Sequence, residues 1–509
     1  MKDRGRGLGA RGWGAGAALL AAALVAHSQT GNARLAERVE RLLETSATTR
    51  TAFWGIQIVD VATGRTLYEL NPGRFFVPAS NTKLFTTALA LTRLGPDYTF
   101  RTRVLAETAP DAEGRIHGPL VLAGGGDPNL SGRMLPYRMG SPAGNPLAAI
   151  EDLADQVAAR GVKRIDGDII GDDTWYVWEP YPEGWSVDDL EYDYGAAVSA
   201  LTVNDNTLAV TVQPGERAGD LAAVAVDPPV EYYGVENRIR TVDGAARRIE
   251  FERDPGGAQV RLAGSIPVRG RGETLALGID DPARFAAGAF RQALEERGIA
   301  VAGGAVARHL YADEPADLRQ AASARDVSGV ELARRTSAPL VQDLQATAKE
   351  SLNLHAEMAL RAVGRARRNI GSREAGLVEL RDLLVEAGAD PGAWDIGDGS
   401  GLARVNLVTP STVVKLLRFM MASPAHDAWL SLLPVAGQDG TLSGRFGDNP
   451  AAGRVHAKTG TVAHVSALSG YAQRADGSWV VFSILANNYN GPASEIRGVM
   501  DSICGLMVE

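Results

Sequence analysis

The chain has 509 residues, which is enough for two or three domains, and its 45% hydrophobic and 22% charged residues are typical of a globular protein rather than a disordered one. A formal net charge of -9, with no basic cluster beyond the N-terminus, argues against a nucleic-acid partner. The single cysteine, Cys504, excludes an intramolecular disulfide. No histidine cluster has the spacing of metal ligands, so neither a metal nor another cofactor is expected.

Residues 1 to about 28 are typical of a secretory signal peptide. A basic N-terminal end is followed by an apolar run from Gly14 to Ala26, and Ala26-His27-Ser28 has the small-x-small pattern of a cleavage site. An uncleaved anchor is the alternative, but the run is shorter than the roughly 20 residues that a spanning helix needs. We therefore expect export to the periplasm or the extracellular envelope, with cleavage near Ser28.

The remaining pattern alternates between helical and extended segments. Gly and Pro turns bound the short strands, and helical periodicity returns after about residue 325. The predicted elements, in chain order, are a helix at 32–46, a β-hairpin at 53–61 and 66–70, a helix after residue 80, helices at about 146–160 and 282–297, strands at 465–471 and 479–486, and an apolar C-terminal helix that buries Cys504.

Two of these helices lead into similar sequence, which indicates a helix–strand repeat. Arg160-Gly161-Val162 follows the first and Arg297-Gly298-Ile299 follows the second. We therefore predict that 102–206 and 276–321 form one inserted subdomain, with a β-rich subdomain at 207–275 nested inside it. Residues 29–101 and 322–509 would form a discontinuous catalytic domain.

The first chemical motif is Ser80-Asn81-Thr82-Lys83, at the predicted start of a helix. Residues i and i+3 share a helix face, so the Ser80 hydroxyl and the Lys83 amine can touch. A serine nucleophile activated by a lysine needs that arrangement, with the lysine pKa lowered by burial or a nearby cation. Ser80 could instead cap the helix, with Lys83 in solvent. Lysine occurs at only six positions among 52 basic residues, which favours a chemical role, because lysine can lose its proton and arginine cannot.

Two further motifs follow. Ser351-Leu352-Asn353 is a Ser-x-Asn pattern, which occurs often by chance and could be a helix start. Lys458-Thr459-Gly460 lies in a predicted strand, where the glycine would let another backbone approach and the lysine and threonine offer a cation and a hydroxyl to a carboxylate. A glycine-rich loop at 398–404 could be only a turn.

Together, Ser-x-x-Lys, Ser-x-Asn and Lys-Thr-Gly are the signature of penicillin-binding proteins and serine β-lactamases. The long gap between the first two motifs resembles the class C low-molecular-mass penicillin-binding proteins, the serine D-alanyl-D-alanine carboxypeptidase/endopeptidases. This resemblance extends over nearly the whole mature chain, including the stretches 124–128, 171–175, 203–206 and 398–402. It implies an α/β (α+β) fold in which a penicillin-binding, β-lactamase-like transpeptidase domain, an antiparallel sheet with helices on both sides, carries a large inserted α/β region.

The resemblance also implies roles for the motif residues. Ser80 would attack the carbonyl of a D-Ala-D-Ala bond, with Lys83 as the general base. Ser351 would pass the proton to the leaving D-alanine, and Asn353 would orient Lys83 and the substrate amide. Lys458 would supply positive charge near these hydroxyls.

Substrate binding is implied for a second set of residues. Thr459 and Thr461, on either side of Gly460, would hold the terminal carboxylate, and the backbone N–H groups of Ser80 and Thr461 would form the oxyanion hole.

The amino-acid end of the peptidoglycan stem would be held by Arg404 and by an acidic residue in the insertion. Asp173 is the candidate for this acid, and Asp172 is its close alternative; the family has a serine where this chain has Ala403.

The implied partners are peptidoglycan stem peptides and, as covalent inhibitors, β-lactam antibiotics. A β-lactamase is one alternative, although no convincing Glu-x-x-x-Asn pattern lies between Ser351 and Lys458. An esterase on the same scaffold and a non-catalytic cell-wall binding protein are others; binding alone would not require Ser80 and Lys83 together.

Overall fold

The computed structural model describes residues 33–245, 247–323 and 326–509, so the predicted signal peptide lies outside the described part of the chain. The helices are α1 (33–43), α2 (Ala47–Thr51), α3 (Thr82–Leu94), α4 (Ala148–Ala159), α5 (Pro282–Glu296), α6 (Leu340–Glu350), α7 (Asn353–Arg368), α8 (Arg373–Glu386), α9 (Pro410–Met421), α10 (His426–Leu432) and α11 (Ala493–Val508).

The strands are mostly short. They are β1 (Phe53–Asp60), β2 (Thr66–Leu70), β3 (Arg101–Ala106), β4 (Arg115–Ile116), β5 (Leu120–Ala123), β6 (Arg164–Ile165), β7 (Ile169–Val177), β8 (Thr207–Gln213), β9 (Ala223–Asp227), β10 (Gly234–Val242), β11 (Arg248–Arg253), β12 (Gln259–Pro267), β13 (Glu273–Gly278), β14 (Ala300–Val301), β15 (Ala305–Leu310), β16 (Val330–Thr336), β17 (Trp394–Asp395), β18 (Leu407–Val408), β19 (Val455–Val462), β20 (Val465–Gln473) and β21 (Trp479–Asn487).

A five-stranded antiparallel sheet, in the order β19-β20-β21-β1-β2, joins the two ends of the chain. β21 alternates its side chains between two apolar cores. Val480, Phe482 and Ile484 face the core that contains α11, whereas Val481 and Leu485 face the core that contains α3 and α6 to α10. The sheet therefore lies between two helical layers and is buried on both faces, as the resemblance implied.

The C-terminal apolar pattern folds as α11, which packs on this sheet. Its cysteine, Cys504, is fully buried, and burial raises the pKa of the thiol well above its usual value.

The predicted insertion, residues 102–321, supplies most of a second five-stranded sheet, in the order β15-β7-β5-β3-β16, covered by α4 and α5. The two copies of the predicted helix–strand repeat pair with each other in parallel: β15 with β7 in this sheet, and β14 with β6 in a separate three-stranded sheet that also contains β4. α5 begins as its sequence predicts, with Asp281 accepting a hydrogen bond from the backbone N–H of Arg284 and Pro282 in the first turn.

Two three-stranded sheets, β10-β12-β11 and β13-β8-β9, share a small apolar core within residues 207–278. β16 begins after the predicted domain boundary at residue 321, yet it pairs with β3 of the inserted sheet. The domain limits stay a prediction. Within the described residues, no helix combines the length and the apolar character needed to cross a membrane.

Candidate active site

Ser80 lies in a single 3-10 turn, Ala79–Asn81, that leads directly into α3. Two contacts fix this turn. Asn81 donates a side-chain hydrogen bond to the carbonyl oxygen of Lys458 on β19, at 2.9 Å. A Cβ at Gly460 would lie only 2.6 Å from the carbonyl oxygen of Pro78, so glycine is what lets β19 approach the turn so closely.

Lys83, one turn further on, is fully buried and points to Ser80. Its Nζ lies 3.1 Å from Ser80 Oγ, 2.6 Å from Asn353 Oδ1 and 2.7 Å from the carbonyl oxygen of Ser400. Burial lowers the pKa of Lys83 to about 7, although the nearby carboxylates of Asp398 and Glu357 act in the opposite direction. A substantial neutral fraction at neutral pH is what a lysine base requires.

The loop at 397–406 contributes the Ser400 carbonyl oxygen that accepts a hydrogen bond from Lys83. Asp398 is buried and accepts hydrogen bonds from the Ser400 hydroxyl at 2.9 Å and from the Asn406 amide at 2.6 Å. From α7, Glu357 Oε1 accepts the backbone N–H groups of Gly399 and Ser400, at 2.8 and 2.9 Å. These bonds hold the Ser400 carbonyl toward Lys83.

Ser351 and Asn353 occupy the corner between α6 and α7. Ser351 ends α6 with a left-handed backbone, φ +64°, and its hydroxyl accepts a hydrogen bond from Lys458 Nζ at 2.9 Å. Asn353 begins α7 and donates its amide N–H to the carbonyl oxygen of Tyr194, in the inserted part, at 2.9 Å. The corner therefore touches both the central sheet and the insertion.

A buried charged cluster fixes this corner. His355, 1% exposed, lies between Asp343 of α6, at 2.7 Å, and Asp205 of the insertion, at 3.2 Å. Arg133 of the insertion forms ion pairs with both Asp205 and Glu350, the residue before Ser351. Burial lowers the pKa of His355, but the carboxylates of Asp343 and Asp205 outweigh it and raise that pKa to about 9.

Lys458 is as buried as Lys83, and its Nζ also donates to the carbonyl oxygen of Thr459 at 3.0 Å. Burial and the charge of Lys83 both lower the pKa of Lys458 well below its usual value. A bound carboxylate would act in the opposite direction.

A cleft of about 540 Å³ opens over these groups. Ser80, Ser351 and Asn353 form its floor, and Thr461 and Arg404 lie on its wall. The exposed Arg404 side chain donates to the carbonyl oxygen of Ala463 at 3.1 Å.

Thr459 and Gly460, the other two residues of the Lys-Thr-Gly motif, do not line the cleft. The Thr459 hydroxyl donates to the hydroxyl of Thr441 at 2.8 Å, and Gly460 is packed against the Ser80 turn rather than lining the cleft.

Asp173 does not reach this cleft. Its buried carboxylate accepts a hydrogen bond from the Ser199 hydroxyl and pairs with His309, both at 2.9 Å. Asp172 pairs with Arg308 instead, because successive side chains on a strand point to opposite faces. The prediction of Asp173 as a substrate ligand is therefore corrected, and the carboxylates that line the cleft are Asp188 and Asp189.

Several site residues were missed by the sequence reading. Glu357 lies one helical turn after Asn353, on the same face of α7, and this spacing was a usable signal. Ser400 acts through its backbone carbonyl, which any residue type supplies, so no motif marks it.

The fold and the arrangement of the three motifs define a penicillin-binding protein. A model of the family described as D-Ala-D-Ala carboxypeptidase 3 (S13) matches residues 35–506. The chain belongs to this family, which confirms the resemblance inferred from the motifs and makes it a serine-type carboxypeptidase by class.

Among relatives, the D-alanyl-D-alanine carboxypeptidase of Actinomadura sp. (strain R39) is 37% identical over 487 residues, covering 93% of this chain and 84% of that protein. The D-alanyl-D-alanine carboxypeptidase DacB of Haemophilus influenzae is 25% identical over 428 residues, covering 83% of this chain and 82% of that protein. The crystal structure of penicillin binding protein 4 (dacB) from H. influenzae matches with a TM-score of 0.75 at 23% identity, over 92% of this chain and 97% of that one.

Proposed function

We propose that this protein cleaves the terminal D-Ala-D-Ala bond of peptidoglycan stem peptides through an acyl-enzyme on Ser80. The contact that carries the proposal is the 3.1 Å approach of Lys83 Nζ to Ser80 Oγ, made by a buried lysine whose pKa is lowered to about 7. Membership of the carboxypeptidase family and the D-alanyl-D-alanine carboxypeptidase relatives support the choice of substrate.

In the first step, neutral Lys83 takes the Ser80 hydroxyl proton as Oγ attacks the scissile carbonyl. Negative charge develops on the carbonyl oxygen, where the backbone N–H groups of Ser80 and Thr461 would stabilise it. Asn353, whose side-chain oxygen lies 2.6 Å from Lys83 Nζ, keeps the amine oriented toward Ser80.

In the second step, the C–N bond breaks and the amine of D-alanine leaves with a proton. The Ser351 hydroxyl accepts a hydrogen bond from Lys458, and Ser351 lines the same cleft as Ser80. Ser351 would relay the proton that Lys83 took from Ser80 to the leaving amine, which returns Lys83 to its neutral form. Water then attacks the ester with the same base, which releases the shortened peptide and restores Ser80.

The terminal carboxylate would bind near Thr459, Thr461 and Lys458. The exposed Arg404 and the carboxylates of Asp188 and Asp189 offer charges of both signs to the amino-acid end of the stem. The same chemistry would open cross-links between D-alanine and a diamino acid. A β-lactam, which mimics D-Ala-D-Ala, would acylate Ser80. We also propose export to the cell envelope, in keeping with such a substrate, and function without a metal or cofactor.

Intact-mass spectrometry after mixing with penicillin tests the nucleophile. We expect one penicillin adduct on the parent protein and none on Ser80→Ala, while the parent alone releases D-alanine from a pentapeptide ending in D-Ala-D-Ala. Ser478→Ala, at a half-buried position in the connection between β20 and β21, is a matched control that should keep the adduct. An adduct that persists in Ser80→Ala would contradict the proposal, and penicillin consumed without an adduct would favour a β-lactamase.

A further inference from the structure

A second cavity, of about 390 Å³, adjoins the candidate cleft. The two share a wall, because Asp188 lines both. The segment from Val187 to Tyr194 separates them, with Tyr194 lining the cleft and Tyr192 lining the second cavity. We call the second one the aromatic cavity. Its lining includes Trp178, Tyr181, Tyr192, Glu191, Arg253 and Asp280.

We propose that the aromatic cavity binds the sugar part of peptidoglycan, an N-acetylated hexosamine of the glycan to which the stem peptide is attached. The inference rests on the proposed function, because it concerns the remainder of the same substrate. It assigns recognition of the glycan to residues outside the three catalytic motifs.

The first argument is a fixed aromatic platform. The Trp178 ring stacks on His309, with ring centroids 3.8 Å apart and an angle of 25° between the planes. His309 is held in turn by Asp173 at 2.9 Å and lies 3.6 Å from Asp281. A large ring held in one orientation offers an apolar surface at low entropic cost, which suits the C–H face of a pyranose.

The second argument is a buried donor at the wall of the cavity. Arg253 is 4% exposed, and its Nη1 makes no hydrogen bond to any described residue, although it lies 3.3 Å from Asp280 Oδ2. Nη1 therefore has an ion pair but no hydrogen bond that meets normal geometry, which favours a ligand that brings a hydrogen-bond acceptor. The carbonyl oxygen of an N-acetyl group is such an acceptor.

Arg253 also connects this wall to the segment between the cavities. Its Nη2 donates to the carbonyl oxygen of Leu190 at 3.2 Å, and its backbone N–H donates to Glu191 at 3.1 Å. A ligand in the aromatic cavity would therefore contact the segment that carries Tyr194. The carbonyl oxygen of Tyr194 in turn accepts a hydrogen bond from Asn353.

The reach of the substrate agrees with this placement. An extended chain covers at most about 3.3–3.6 Å per residue, so the few stem residues before the scissile bond span little more than about 14 Å. A site for the sugar must then lie next to the cleft, and the shared wall at Asp188 meets that requirement.

Two substrates test the proposal: a pentapeptide ending in D-Ala-D-Ala, and the same pentapeptide attached to its N-acetylated disaccharide. For Tyr192→Ala and Trp178→Ala we expect kcat/KM to fall about tenfold on the disaccharide substrate and less than about twofold on the free peptide. Tyr192→Phe, which keeps the ring, should behave as the parent. Val385→Ala, on the exposed face of α8, is a control that lines neither cavity.

Penicillin acylation of every variant gives the second measurement. It should stay at the parent rate, which shows that Ser80 and the fold are intact. Equal losses on both substrates, or no loss on either, would overturn the inference. Failure of the proposed function is recognised differently: the parent itself would then cleave neither peptide, and the inference would fall with it.

Discussion

The two sides of the candidate site are supported by different parts of the chain. On the Lys83 side, Ser400 and Glu357 belong to a loop and a helix next to the central sheet. On the Ser351 side, the α6–α7 corner contacts two residues of the predicted insertion: Glu350 pairs with Arg133, and Asn353 donates a hydrogen bond to the carbonyl oxygen of Tyr194. The first side would set the protonation of the proposed base, Lys83. The second would set the position of the proposed proton relay, Ser351, so the predicted insertion would take part in building the site.

We expect substitutions on the Lys83 side to have the larger effect on acylation, and Gly401→Ala is expected to disrupt the contact between its loop and the Ser80 turn. Gly401 has φ +84°, and a Cβ there would lie 1.9 Å from the carbonyl oxygen of Ala79, next to Ser80. A displacement of about 1 Å in a catalytic group costs on the order of 100-fold in rate, and we expect a loss of that size in penicillin acylation. The acylation rate can be measured by quenching the reaction with penicillin at set times and determining the acylated fraction by intact-mass spectrometry.

Gly397→Ala is the matched control in the same loop. Its Cβ would meet the Val405 side chain at 3.4 Å, an ordinary contact, and its φ is not positive. Near-parent acylation is expected for this variant. If both variants acylate at the parent rate, the close approach at Gly401 does not set the geometry of Ser80.

The insertion side is tested by Arg133→Gln. This change removes the arginine that pairs with both Glu350 and Asp205, although His355 still faces Asp205, and it loosens the α6–α7 corner. We expect D-alanine release to slow about tenfold, chiefly in kcat, with a lower melting temperature. Arg138→Gln, an exposed arginine of the same segment, should change neither quantity. A variant with a lower melting temperature but the parent kcat would limit the cluster to a structural role.

The smallest effect is a shift in pH dependence. Acylation needs neutral Lys83, so its rate should rise with pH through the Lys83 pKa of about 7. Glu357 raises that pKa by its negative charge, so Glu357→Gln should lower it and move the midpoint of the rising limb to lower pH. The pH profile of the second-order acylation rate constant measures the shift.

Glu379→Gln is the control for burial of a carboxylate. Glu379 is buried but pairs with Arg368, at 2.9 Å, rather than with the site. Its replacement should leave the midpoint unchanged. A midpoint that does not move in Glu357→Gln, or moves upward, would show that Glu357 does not set the protonation of Lys83.

The sequence predicted the parts of the site that depend on residue type and close spacing. Ser80 and Lys83 are three residues apart, and a helix start brings them together whatever the rest of the chain does. The contact from Ser400 was invisible because a backbone carbonyl leaves no mark on residue type. The prediction for Asp173 failed because its carboxylate binds Ser199 and His309, which are distant in sequence and are brought to it only by the fold.

The fold follows the same rule. The hairpin of β1 and β2 and the extent of α5 are local features, and the sequence indicated them. The pairing of β1 with β21 has no local signal, because both strands are buried on both faces and their partner lies at the other end of the chain. Only the family resemblance supplied that architecture.

The pairing of β1 with β21 also determines when the site can form. β1 begins at Phe53 and is synthesised long before the strands that complete its sheet, β19 to β21, the first of which begins at Val455. Such distant pairings slow folding, because the entropy of closing a long loop is lost before the stabilising contacts form. The Ser80 turn, which rests on β19, therefore acquires its active geometry only near the end of folding, so a partly folded chain cannot yet attack peptide bonds.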